Sequence, residues 1–395
     1  MKFVRNWGRL GMKCNWTTKK LSEIANINPR ERIGKGVVAK KIPMDKLQPF
    51  CRDIPEFVFE EYKGGTKFKN GDTIMARITP CLENGKVAKV SVLNDDEVGF
   101  GSTEYIVFRA INGVSDSDFL YYMICSPVVR NPAIKSMVGS SGRQRVQTDV
   151  VANLDIELPH IEEQRKIGSV LRLLDDKIAI NNEINNNLLE QAQAIYQQMF
   201  IDNARSDWTE GTLSDIADIT MGQSPSSRSY NEDGNGTIFF QGRAEFGFRF
   251  PSIRLYTTEP KRMAQSNDTL MSVRAPVGDL NVAHTDCCIG RGLAAIHSKY
   301  NHQSFVLYTM FSLKKQLDVF NGEGTVFGSI NRNSLNGMPI LIPSDDILEE
   351  FERIVAPMDL TIRNNYDEIC RLQDIRDTLL PRLISGEIDV SDIGF

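Results

Sequence analysis

The sequence is poor in the residues from which most catalytic and metal centres are built. Its 395 residues include four histidines and seven cysteines. No two cysteines form a C-x-x-C pair, so neither a zinc site nor a disulfide framework has its spacing. Cys287 and Cys288 are adjacent, and a buried strand position is expected for them rather than a ligand pair. His160, His284, His297 and His302 stand apart from carboxylates and thiols at ligand spacings. A phosphate loop of the G-x-x-x-x-G-K-[ST] type, a G-x-S-x-G elbow and an H-E-x-x-H helix are all missing. So is the N/D-P-P-Y/F string that holds a flipped base for amino methylation, since Asn28-Pro29-Arg30 and Asn131-Pro132-Ala133 do not fit it. The G-x-G strings at 99–101, 234–236 and 322–324 lack a strand-to-helix setting and read as turns. No uncharged apolar run is long enough to cross a bilayer, and the N-terminal MKFVRNWGRLGMKC has no continuous apolar core. A cytoplasmic binding protein, not an enzyme, is expected.

The apolar and charged fractions, 41% and 25%, are those of an ordinary globular chain, and the length suits two or three domains. Net charge is -5, but it is unevenly spread: residues 1–160 carry +6 and residues 344–395 carry -8. Nucleic-acid affinity depends on local basic surface, so an acidic C-terminal stretch does not exclude it.

The chain repeats itself. WTTKKLSEIA at 16–25 recurs as WTEGTLSDIA at 208–217, and GDTIMARITP at 71–80 recurs as NDTLMSVRAP at 267–276. VVANLDIELP ending at Pro159 matches SLNGMPILIP ending at Pro343, and Asp175-x-x-Ile178-x-x-Asn181 matches Asp359-x-x-Ile362-x-x-Asn365. Four matches in one order indicate tandem duplication. Each copy runs from short β-patterns (86–92, 103–108, 292–296), through a helical insert (118–125, 304–317) and a Gly-rich loop, to an apolar strand ending in Pro.

A long helical stretch then follows in each copy. Ile167, Leu171, Leu174, Ile178, Asn181 and Ile184 step by three or four on to Met199; Phe351, Ile354, Met358, Ile362, Asn365, Ile369, Leu372 and Ile375 do so on to Leu383. Forty helical residues would span about 60 Å. Each stripe is narrow, as a coiled-coil seam requires, and the two are expected to pair antiparallel. The expected fold class is α+β: two mixed α/β globules, each followed by a long helix, the helices pairing so that one chain imitates a two-fold dimer. The boundaries read as globule 1–160, helix 161–200, globule 201–343, and helix with C-terminal tail 344–395. Asn181 and Asn365 are either helix-edge residues or a buried polar pair fixing register.

Base reading needs Arg, Lys, Asn or Gln on a firm scaffold. The loop GSSGRQRV (139–146) carries Arg143, Gln144 and Arg145, with Arg77 and Lys86 near the repeated strand. Its counterpart GTVFGSINR (324–332) carries Thr325, Asn331 and Arg332, joined by Gln241, Arg243, Arg274 and Arg291. The chemistry differs between copies, as two globules reading different base sequences require. Most of these arginines have a plainer reading, as ordinary surface cations or salt-bridge partners.

This pattern resembles the specificity subunit of type I restriction-modification systems over nearly the whole chain. A Gly-rich loop, an I-x-L-P strand and an E-Q helix start appear as GSSGRQRVQTDVVANLDIELPHIEEQRKI, with Pro159, Glu163 and Gln164 in place. The second copy's YNEDGNGTIFFQGRAEFGF and SVRAPVGDLNVAHTDCCIGRGLAAI resemble one variety of that family's target-recognition domain, although SDDILEEFERI lacks the E-Q pair. The resemblance implies a non-catalytic subunit whose globules enter the major groove of double-stranded DNA at two half-sites of an asymmetric, gapped sequence. It implies two modification subunits held along the helices, methylating adenine N6 with S-adenosylmethionine, and restriction subunits using ATP with Mg. No cofactor is expected on this chain itself. A coiled-coil adaptor with protein-binding globules shares the pattern; the paired Arg-bearing loops speak against it. The specificity part of a fused methyltransferase-nuclease would need a catalytic domain, which neither copy supplies.

Overall fold

A computed structural model describes residues 16–140, 142–322, 328–391 and 393. It divides into two compact units, Met1–Asn181 with Asp367–Phe395, and Asn182–Tyr366. The division falls inside both long helices, the first over Ile161–Tyr196 and the second over Asp345–Ile384. A π-helical turn, Gln197–Asp202, extends the first.

In the first unit the strands are β1 (Thr17–Lys20), β2 (Ala25–Ile27), β3 (Val38–Ile42), β4 (Val58–Glu61), β5 (Thr66–Phe68), β6 (Thr73–Ala76), β7 (Val87–Lys89), β8 (Gly99–Gly101), β9 (Tyr105–Ala110) and β10 (Asp155–Leu158). β1 pairs antiparallel with β10 and closes the globule just ahead of the helix. An antiparallel sheet has the order β2-β9-β6-β7, and a mixed one β4-β3-β8-β5, with β3 and β8 parallel. The central strand β6 is buried at all four positions, and its run T-I-M-A lacks polar alternation because both faces are covered.

The second unit repeats this plan with β11 (Thr209–Thr212), β12 (Ala217–Met221), β13 (Tyr230–Asn231), β14 (Thr237–Phe240), β15 (Leu255–Thr257), β16 (Met263–Ala264), β17 (Thr269–Ser272), β18 (Leu280–Val282), β19 (Cys287–Ile289), β20 (Leu293–Ser298) and β21 (Pro339–Ile342). β11 pairs with β21, the antiparallel sheet runs β12-β20-β17-β18, and the mixed sheet β13-β15-β14-β19-β16 adds one short strand. The sequence repeats therefore mark equivalent elements: 16–25 and 208–217 enter each globule, 71–80 and 267–276 carry the central strand and its turn. Cys287 and Cys288 lie fully buried in β19, and burial pushes the Cys287 thiol up to about 12.

The helical inserts are Ser117–Cys125 and Gln303–Ser312, and each ties its globule to a long helix. Tyr122 donates its hydroxyl to Asp175 at 2.7 Å; Tyr308 and Ser304 donate theirs to Asp359 at 2.9 and 2.8 Å. The E-Q start has a physical basis. Gln164 is buried, donates to the Val114 and Pro159 carbonyls and accepts from the Asp116 amide, so one amide side chain joins helix, strand end and insert. The second copy has Leu348 at that place, buried in its core.

Within each unit the two helix segments run antiparallel. In the first, Lys166 reaches the Ser391 carbonyl, Arg376 pairs with Asp175 at 2.8 Å, and Asn181 donates to Glu368 at 2.8 Å. In the second, Asn365 donates to Asn185 at 2.9 Å and Tyr196 packs on Phe351. Each of Asn181 and Asn365 finds a polar partner on the opposing helix within its own unit. The contact is also less apolar than the stripe suggests: Ile184, Ile354 and Ile375 are exposed, whereas Val355 and the ion-paired Arg376 are buried. The apolar ends pack instead into the globules, Ile167 and Leu171 into one core, Tyr196, Phe200 and Phe351 into the other. Polar contacts between the helices favour register and partner choice over raw stability.

Candidate nucleic-acid interface

In each unit one rim collects the ends of both sheets, framed by the same hydrogen bonds. In the first unit the Arg77 amide donates to the Glu104 carbonyl, the Val146 amide to the Arg77 carbonyl and the Thr79 amide to the Gln144 carbonyl, at 2.8–3.0 Å. In the second the Val273 amide donates to Gly292, Ile330 to Val273 and Ala275 to Gly328, at 2.9–3.1 Å. Two close backbone approaches shape the rims. A Cβ on Gly139 would lie 2.9 Å from the Arg143 carbonyl oxygen, so the backbone approaches itself closely between Gly139 and Arg143. Cβ atoms on Gly290 and Gly292 would meet the Gln241 carbonyl at 2.8 and 2.9 Å, so Gly-Arg-Gly packs tightly while Arg291 points outward, exposed.

The expected residues differ in how free they are. Arg77, Gln144 and Arg145 do come together, joined by the backbone frame. Arg145 is not free: its Nη2 lies 2.7 Å and its Nε 3.0 Å from the Glu104 carboxylate, and Arg77 Nε lies 4.0 Å from it. The Arg145 hydrogen bond, then the charges of Arg145 and Arg77, hold the Glu104 carboxyl below its ordinary range. Lys86 donates to the Met44 carbonyl at 2.9 Å. Arg143 is exposed at the loop tip and forms no ion pair among the described residues.

On the second rim Gln241, Arg274 and Arg291 are exposed, while Arg243 is paired with Asp279. Asn331 accepts from the Ser334 amide at 3.0 Å and caps the short helix Arg332–Asn336, so its carboxamide oxygen is engaged in structure; Arg332 is exposed in the first turn. Thr325 lies outside the described residues. Sequence reasoning passed over three rim groups: Glu104, Asp279 and Lys314. Base reading points first to cations and amides, whereas two of these groups are carboxylates paired with rim cations. Lys314 comes from the start of a helix, Lys314–Asp318, and lies 3.4 Å from Asp279.

Among the described residues no cluster of three or more His, Cys, Asp or Glu could hold a metal, and no helix is long and apolar enough to cross a membrane. His297 Nδ1 lies 2.6 Å from Asp268, but Arg109 and Asp72 occupy the equivalent positions in the first unit, also paired, at 2.7 Å. The pair is thus a repeated structural strut and not a catalytic dyad.

The family model for the type I restriction modification DNA specificity domain matches this chain twice, over residues 13–190 and 205–369. A Methanocaldococcus jannaschii protein described as the MjaX type I restriction enzyme specificity subunit is 32% identical over 256 residues, 60% of each chain. The MjaIX type I restriction enzyme specificity subunit of that organism is 24% identical over 310 residues, 70% of each chain. The crystal structure of a type I restriction-modification S subunit from M. genitalium shares the fold, with a TM-score of 0.58 at 16% identity, covering 97% of this chain and 98% of that one.

Proposed function

Because the chain belongs to the type I restriction modification DNA specificity domain family, we propose that it is the DNA-reading subunit of a restriction-modification complex, non-catalytic and cytoplasmic. Each globule reads one half of a gapped, asymmetric site in double-stranded DNA. The observation that carries this reading is the pair of rims: one hydrogen-bond frame, two different sets of side chains. Arg145 and Glu104 on one rim stand where Ser329 and Gly292 stand on the other. A frame kept constant while its outward chemistry changes is what two readers of unlike sequences need, since phosphates look alike everywhere and only base edges differ.

The partners carry the chemistry. Two modification subunits, docked along the long helices, use S-adenosylmethionine to methylate adenine N6 after flipping the base from the duplex. Exposed apolar residues along the helices, Leu173 and Ile180 on the first and Leu360 and Ile375 on the second, offer such docking its surface. Restriction subunits, where the complex includes them, use ATP with Mg; this chain binds no cofactor. Deleting the gene and sequencing the host methylome tests the reading. One gapped adenine-methylation motif disappears and returns on complementation; an unchanged methylome contradicts it.

A further inference from the structure

Lys86 and Asp279 occupy the same place in the two globules. The Ala76 amide donates to the Lys86 carbonyl at 3.0 Å, and the Ser272 amide to the Asp279 carbonyl at 2.9 Å, each closing the hairpin after the central strand. That hydrogen bond is made by backbone atoms and requires neither the Lys86 nor the Asp279 side chain, yet the two differ in sign of charge. The Asp279 carboxylate pairs with Arg243 and Lys314 and remains 29% exposed. It lines an open cleft of about 360 Å³ with Phe246, Leu280, Phe311 and Lys314. A carboxylate facing DNA phosphates is repelled by them, so backbone binding does not account for an acid on a rim that also presents Arg274 and Arg291. A base edge does: an exocyclic amino group, cytosine N4 or adenine N6, donates in the major groove and needs an acceptor.

We propose that Asp279 is a specificity-determining residue, accepting a hydrogen bond from a base amino group in the half-site read by the second globule. Arg243 and Lys314 hold the carboxylate ready and neutralise its repulsion from the backbone. At the matching position of the first globule the Lys86 ammonium is instead given to the Met44 carbonyl. This assignment rests on the DNA-reading function proposed above.

The test uses the full chain co-expressed with its modification subunits in a host lacking adenine methylation, with long-read sequencing as the readout. Asp279→Asn and Asp279→Lys should reduce discrimination at one base pair of one half-site by roughly 10- to 100-fold, leaving the other half-site and the spacer unchanged. Relaxed preference at that single position supports the assignment. An unchanged motif in both variants overturns it, as does a loss in equal proportion on every sequence, complete loss included, which would make Asp279 an orienting group for Arg243. If the unaltered chain directs no gapped motif at all, the DNA-reading function itself fails, and this assignment with it.

Discussion

The two units answer one structural problem with different chemistry. In each, an aspartate of the repeated D-x-x-I-x-x-N string anchors the long helix to a tyrosine of the inserted helix. In the first unit the buried Asp175 draws its guanidinium from the second long helix, Arg376 at 2.8 Å, while the globule's own Arg52 pairs with the neighbouring Asp176 at 2.7 Å. In the second unit Asp359 draws it from the globule, Arg249 at 3.2 Å, and the place equivalent to Arg376 is Ala192, fully buried. There the helices meet through rings: Tyr196, Phe200, Phe305 and Phe351 pack within 6.5 Å of one another. An ion pair fixes helix pairing in one unit and aromatic packing does so in the other. The duplicated motif thus conserves the anchor, not its partner.

Arg376→Ala breaks that comparison most strongly. It leaves Asp175 buried beside Tyr122 alone, and removing one member of a buried pair costs about 3–5 kcal/mol. Single-tryptophan variants report the units separately, Trp16 in the first and Trp208 in the second. Denaturant titration should show a large loss at Trp16, whereas Ala192→Gly should leave Trp16 unmoved.

The second effect is a pH dependence confined to one unit. The insert's N-terminus is capped locally by Asp116 in the first unit, whose carboxylate accepts from the Asp118 and Phe119 amides. In the second, His302 gives no side-chain cap, and Glu352 reaches from the long helix to accept from the Phe305 amide at 2.8 Å. Burial pushes the Glu352 carboxyl up to about 7. Below about pH 4.5 the group is protonated in folded and unfolded chains alike. As pH rises toward 7 the unfolded chain ionises first, so this contribution to stability is lost across that window, by about 3 kcal/mol at most. Glu352→Gln should flatten the Trp208 melting profile between pH 5 and 8 and leave the Trp16 profile untouched, because the first unit has Gly168 at that place.

Arginine substitutions sharpen the contrast between rims. Arg143→Ala removes an exposed cation with no ion pair among the described residues, and should weaken specific binding by about 1–3 kcal/mol if it is bidentate to guanine. Arg243→Ala also releases Asp279, so its effect should include altered base preference. Competition binding against half-site variants separates these outcomes, and uniform loss marks a phosphate contact. The smallest effect is Asp116→Ala, about 1 kcal/mol for a lost helix cap, read at Trp16 alone.

Much of the architecture was legible in the residues because duplication supplies its own control: a strand pattern seen twice in one order is hard to mistake. The antiparallel pairing also followed, since two apolar stripes in one chain need cover. The anchors were not legible. Asp175 meets Tyr122 and Arg376 across 53 and 201 positions, distances at which local periodicity is silent. The seam was blurred for a related reason. Steps of three and four select Ile354 and Ile375, but each helix also packs against its globule, which turns Val355 inward instead. On the rims, the first hairpin is three residues longer between its paired amide and carbonyl, Ala76 to Lys86 against Ser272 to Asp279. That slip hides the equivalence of Lys86 and Asp279 from a direct comparison of the strings.

The most direct test of two independent readers is to exchange one globule, residues 201–343, for that of a relative with a different recognition sequence and to map methylation by the assembled complex. One half of the motif should change while the other half and the spacer length persist. A motif altered in both halves, with Trp16 still reporting a folded first unit and the chain still assembling with its modification subunits, would contradict the account.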